Sequence, residues 1–199
     1  YLIWKDMRAG NYDLYATRIN ANGTIPWAAN GSVVCTATGT QEQQQVIPNG
    51  FGGLIAVWRD LRVATGDIYY QLLNASGSAQ LTANGVVVST TAGNKQNPQI
   101  VSDGFTGGAI IAWQLTTSGW DIYAQRMKSG TPLWGVTGVA VCSVTYNEEQ
   151  LQLISDGNGG AIMAWADSRL GWEYNIFAQR LDANGAAQWA TNGVALCEA

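Results

Sequence analysis

GAIMAWADSRLGWEYNIFAQR, residues 160–180, is the clearest copy of a pattern that the chain spells four times. Its apolar run ends at Trp165, and the matching runs YLIW, GLIAVW and GAIIAW end at Trp4, Trp58 and Trp113, at spacings of 54, 55 and 52. A second register follows in DLYATR, DIYYQL, DIYAQR and NIFAQR, where Tyr15, Tyr69, Tyr123 and Phe177 are separated by 54 residues each time. A third opens short valine-rich stretches at Gly31, Gly85, Gly138 and Gly193. Registers that agree in order and period define a tandem repeat, and a period near 50 residues is that of blade-type β architectures.

Each unit offers four strand candidates. The first is polar-led (QQQVIP, NPQIVS, QLQLIS) and runs into an Asn/Asp-Gly turn suited to the positive φ of hairpins. The second is the Trp-terminated run, the third the D-I-Y segment, and the fourth the Gly-Val segment. No stretch carries helical periodicity. The second strand is apolar throughout rather than alternating, as expected of a sheet covered on both faces. The expected fold class is therefore all-β: a β-propeller of four-stranded antiparallel blades, with the polar first strands lining its axis. Residues 1–199 form a single repeat domain, with repeats at about 1–40, 41–94, 95–146 and 147–199, the first lacking its innermost strand. The chain opens in mid-strand, so a longer array is expected, with additional blades or an oligomer completing the ring.

Composition agrees. Of 199 residues, 47% are apolar and 12% charged, enough for a core and too apolar for disorder. The 24 glycines and 9 tryptophans fit many short strands joined by tight turns. A net charge of −4 argues against nucleic acid as a partner. No apolar run nears the roughly 20 residues of a membrane span, so no membrane insertion is expected. The chain has no His, which removes His-based triads and His-ligated zinc.

The segments W-x-D-x-R…D-I-Y-x-Q-R, W-x-x-N-G-V-x-V-C and S-D-G-x-G-G-A-I-x-A-W resemble the repeats of large secreted bacterial β-propeller proteins, TolB-like or kelch-like in blade grammar. The resemblance covers nearly the whole chain and implies a propeller in an extracellular or cell-surface setting, without an assigned activity. Leu115 and Thr117 replace the Asp and Arg of the pattern in the third repeat.

Candidate ligand-binding residues fall in the connections between second and third strands. The pairs Asp6/Arg8, Asp60/Arg62 and Asp167/Arg169 could brace the turn through a carboxylate–guanidinium bond or clamp a polar ligand. Tyr12, Trp120, Trp172 and Tyr174 do not recur identically, and such irregular loop aromatics are the best candidates for stacking on sugar rings. Cys35, Cys142 and Cys197 share one repeat position and are expected to be separate buried thiols. No C-x-x-C pair exists, so neither a metal nor another cofactor is expected. Glu148 and Glu149 are expected to precede the innermost strand of the last repeat, with Glu42 in a similar place. No paired acids are then expected on inner strands, as a glycosidase would need. These readings lead to a non-catalytic, lectin-like binding module, not an enzyme, that recognises a glycan or a protein surface. The alternative is a structural or adhesive repeat segment.

Overall fold

A computed structural model describes residues 1–117, 119–171 and 173–197. It is all-β, with no helix among the described residues, and holds four antiparallel sheets. The first comprises β1 (Leu2–Asp6), β2 (Asp13–Thr17) and β3 (Ser32–Cys35). The second comprises β4 (Gln41–Pro48), β5 (Leu54–Asp60), β6 (Asp67–Leu73) and β7 (Val86–Val87). In the third, β8 (Asn94–Ser102), β9 (Gly108–Thr116) and β10 (Trp120–Lys128) are followed by β11 (Thr131–Pro132) and β12 (Val139–Cys142), both paired with β10. The fourth is β13 (Glu148–Ser155), β14 (Ala161–Asp167), β15 (Asn175–Leu181) and β16 (Val194–Cys197). The third sheet thus has five strands rather than four. Its extra two-residue strand matches isolated bridges in sheets two and four, Leu73 to Ala79 and Leu181 to Ala187. The first sheet lacks the inner strand that β4, β8 and β13 supply elsewhere.

The three sequence registers have one physical origin. Trp4, Trp58 and Trp113 lie directly across the strand pair from Tyr15, Tyr69 and Tyr123, and Trp165 lies across from Phe177. The Trp–Tyr rings stack at 6.0–6.5 Å between centroids. The recurrent glycine sits under the far edge of the same indole. At Gly85, with φ of +78°, a Cβ would meet the Trp58 ring at 2.6 Å, so a side chain there is excluded twice over.

Sheets stack through alternate residues of their second strands. Leu54, Ala56 and Trp58 pack with Leu14, Ala16 and Trp27 of sheet one, whereas Ile55 and Val57 pack with Ala109, Ile111 and Trp113 of sheet three. The seam between sheets three and four repeats this with Ile110 and Ala112 against Ala161, Met163 and Trp165. The indole N–H groups of Trp27 and Trp134 also donate across the seams, to the carbonyls of Ala75 and Ala183. Trp58 is wholly buried between two sheets. Trp58→Ala should therefore cost about 3–5 kcal/mol, the range for truncating a core aromatic, read from the denaturant midpoint at unchanged m-value.

Candidate functional site

The inner strands β4, β8 and β13 each carry a bulge at one repeat position. Register slips between Glu42 and Gln45, Gln96 and Gln99, and Glu149 and Gln152. The residue responsible is left-handed and not glycine each time: Gln43 (φ 53°), Asn97 (φ 51°) and Gln150 (φ 54°). Such backbone is disfavoured for residues with a Cβ. It turns the amides of three successive sheets into one cavity of about 690 Å³, which Gln114, Trp120 and Glu149 also line.

The amides are tied together from sheet to sheet. The Asn97 N–H donates to Gln43 Oε1 at 2.7 Å, Asn97 Nδ2 to Gln114 Oε1 at 2.5 Å, and Gln114 Nε2 to the Glu148 carbonyl at 2.9 Å. A relay of this kind fixes which amide edges face the cavity.

One of the four predicted aromatics lines this cavity. Trp120 is the first residue of β10 rather than part of a loop, and it lines the cavity together with Glu149. Tyr174 is exposed and lies beside Glu149; desolvation and then the neighbouring Glu149 carboxylate push its phenol up. Tyr12 lies apart, on sheet one, with Lys5 Nζ 4.9 Å above its ring. Trp172 lies outside the described residues.

The Asp/Arg pairs form a different constellation. Asp60 accepts hydrogen bonds from Trp58 Nε1 at 2.9 Å and from the Arg62 side chain and backbone. Arg62 in turn lies 3.9 Å over the Tyr69 ring and donates to the Asn84 carbonyl. Asp167 and Arg169 repeat this arrangement with Trp165, Phe177 and Asn192. Asp6 and Arg8 do so with Trp4 and Tyr15. Their carboxylates accept hydrogen bonds from their own arginines and lock each second strand to the ring beneath it. The cysteines lie against the same brackets: Cys35 Sγ is 3.5 Å from Arg62 Nη2 and Cys142 Sγ 2.9 Å from Arg169 Nη2. Burial pushes both thiols up to about 12. Cys197, expected to be buried, is exposed because no described residue covers the outer side of sheet four.

One premise of the non-catalytic reading fails on geometry. Glu148 and Glu149 do not precede the innermost strand; they are its first two residues, and Glu42 is the second residue of β4. Inner strands therefore do carry carboxylates. Glu149 faces the cavity, and Glu42 is held by Arg59 Nη1 at 2.7 Å. Glu148 points into the seam with sheet three; burial, then Asp167 and Asp121, push it up to about 8. The polar inner strands were visible in the sequence. The bulge that aims them was not.

No family model matches the chain, and no curated protein does. Solved structures do. An α-L-arabinofuranosidase from Lactobacillus brevis superposes with a TM-score of 0.52 at 9% identity, over 95% of this chain and 76% of that one. An endo-arabinase from Bacteroides thetaiotaomicron gives 0.51 at 14% identity, over 98% and 76%. This likeness is one of fold. It corrects the expectation of a non-catalytic module that is not an enzyme: chains similar to this one in architecture are arabinose-cleaving enzymes, and the acids thought absent from the inner strands are present.

The brackets lead to a stability prediction. Burial opposes ionisation of Asp60, but hydrogen bonds from Arg62 and Trp58 outweigh it and hold the carboxyl below its usual range. A carboxyl with a depressed folded pKa contributes stability above its unfolded value of about 3.9, lost as pH falls through the folded value. Arg62→Ala, which leaves Asp60 buried without its partner, should cost about 3–5 kcal/mol at pH 7. In urea melts between pH 2 and pH 7, the variant should also lose less stability on acidification than the parent.

Proposed function

We propose that the four sheets are blades of a propeller and that the axial cavity is the active site of an enzyme that cleaves a glycoside, with an arabinose-containing polysaccharide as the substrate class. The observation that carries this reading is the repeated left-handed Gln/Asn/Gln bulge. Strain of this kind, placed identically in three sheets and facing one cavity, accompanies sites rather than scaffolds. Amide edges bind sugar hydroxyls in either hydrogen-bonding sense, and the Trp120 ring supplies an apolar face.

In this reading Glu149 gives its proton to the leaving glycosidic oxygen as the C–O bond breaks. The water that adds to the sugar carbon gives up its proton to solvent. An extracellular or cell-surface setting, which the resemblance to secreted bacterial propellers implies, belongs to the same proposal, because a polymeric glycan is met outside the cell.

The test is turnover of linear arabinan and of an aryl α-L-arabinofuranoside by the whole chain. Glu149→Gln should lower kcat by about 10²–10⁴-fold, the span of general acid–base catalysis, with the melting temperature unchanged. Trp120→Ala should act chiefly on KM. Absence of turnover of any arabinose glycoside by the parent protein would overturn the assignment.

A further inference from the structure

Where the second and third sheets meet, Lys95 is only 2% exposed. Its ammonium lies 2.5 Å from the Asp67 carboxylate and also donates to the Thr91 carbonyl. One repeat later, at the seam of sheets three and four, Lys95 is replaced by Glu148 and Asp67 by Asp121. The anionic partner is kept and the cation is exchanged for a third carboxylate, since Asp167 pairs directly across β13–β14 from Glu148.

Glu148 is 0% exposed, and neither of its carboxylate oxygens has a hydrogen-bond partner among the described residues. A buried carboxylate left so is costly. Cys142 Sγ, a Glu148 oxygen and an Asp167 oxygen lie within 4.8 Å of one another, all buried. This is a set of donors converging on a point where the preceding seam holds a positive charge.

We propose that Cys142, Glu148 and Asp167 bind a divalent cation of the zinc class between the third and fourth sheets. A thiolate sulfur beside carboxylate oxygens selects a borderline-soft ion over calcium or magnesium. Zinc bonds of about 2.0–2.3 Å bring donors roughly 3.3–3.8 Å apart, so a side-chain movement of about 1 Å closes the site. Binding releases the thiol proton, and the proton that burial keeps on Glu148, to solvent. Three anionic donors less the Arg169 guanidinium leave two negative charges for the ion to neutralise. Arg169 Nη2 contacts both Cys142 Sγ, at 2.9 Å, and Asp167 Oδ2, at 2.5 Å, and so orients two of the three ligands from outside. The ion would hold the first residue of β13 and, with it, the adjacent Glu149. It stands on its own residues and does not depend on the glycosidase reading.

The test uses the full chain with Cys197→Ser, which removes the exposed thiol as a competitor. After stripping with EDTA the protein is offered Zn²⁺, Ca²⁺ or Mg²⁺ alone. One zinc per chain should survive gel filtration, and the melting temperature should rise with zinc concentration and not with the other ions. Co²⁺ should give a thiolate charge-transfer band that Cys142→Ser abolishes. Glu148→Lys builds the arrangement of Lys95 and should fold, retain no zinc and melt independently of it; should it fail to fold, Glu148→Gln is read for zinc retention in its place. A Cys197→Ser protein that retains no zinc, or zinc retention that survives replacement of Glu148, would overturn the site.

Discussion

A strand that is apolar on both faces can be buried only if something covers each of them. In β5 and β9 the residues alternate in direction without alternating in polarity, so each sheet needs a neighbour on both sides. Face-to-face stacking is the solution, and everything else follows its geometry. Inner strands are drawn together side by side, which assembles a cavity from three of them. The outer side of sheet four shows the same requirement unmet. Leu196 is 62% exposed there, whereas its counterparts Val34, Val88 and Val141 are at most 4% exposed beneath a following sheet.

Stacking alone fixes neither register nor twist. The bracket of Trp, Asp, Arg and aromatic ring does, by giving the buried indole N–H an acceptor and the buried Asp a guanidinium. The third sheet shows what each member contributes. Leu115 stands where Asp60 and Asp167 stand, and Trp113 Nε1 is buried with no partner. The thiol that meets the bracket changes too: Ser89 replaces Cys at the seam facing Leu115, and its hydroxyl turns away to the Thr137 carbonyl. The sheet keeps its packing and gives up one hydrogen bond, a loss on the order of 1–3 kcal/mol.

The fold was largely legible because the repeated residues are the packing residues. Trp58 and Tyr69 recur since they face one another across a strand pair, and Gly85 recurs since only hydrogen fits beneath the indole. Repeat length and an apolar second strand therefore led directly to stacked antiparallel sheets. The cavity was legible only in part. Polar first strands could be read along the chain, but a single bulged residue decides which of their side chains turn inward, and Gln43 looks no different in sequence from Gln44. The same bulged strand begins earlier than its apolar pattern does, which is why the sequence puts Glu149 ahead of the strand rather than in it. Trp120 was found as an irregularity, the right signal, though it begins a strand.

Departures from the repeat are not scattered. Gln41, Lys95 and Glu148 at one inner-strand position, Leu115 in place of Asp, Trp120 and Tyr174 all lie at the end of the sheets where second strands turn into third strands. At the opposite end the pattern barely varies. Asn49, Asp103 and Asp156 each accept a backbone N–H two residues on, and Arg126 and Arg180 pair with the two aspartates. A repeat protein that only had to stack would have no reason to keep one end uniform and vary the other, because the packing demands on the two ends are alike. The asymmetry separates an edge held by the same turn in the three sheets that have an inner strand from one where each sheet presents a different group to the same small region.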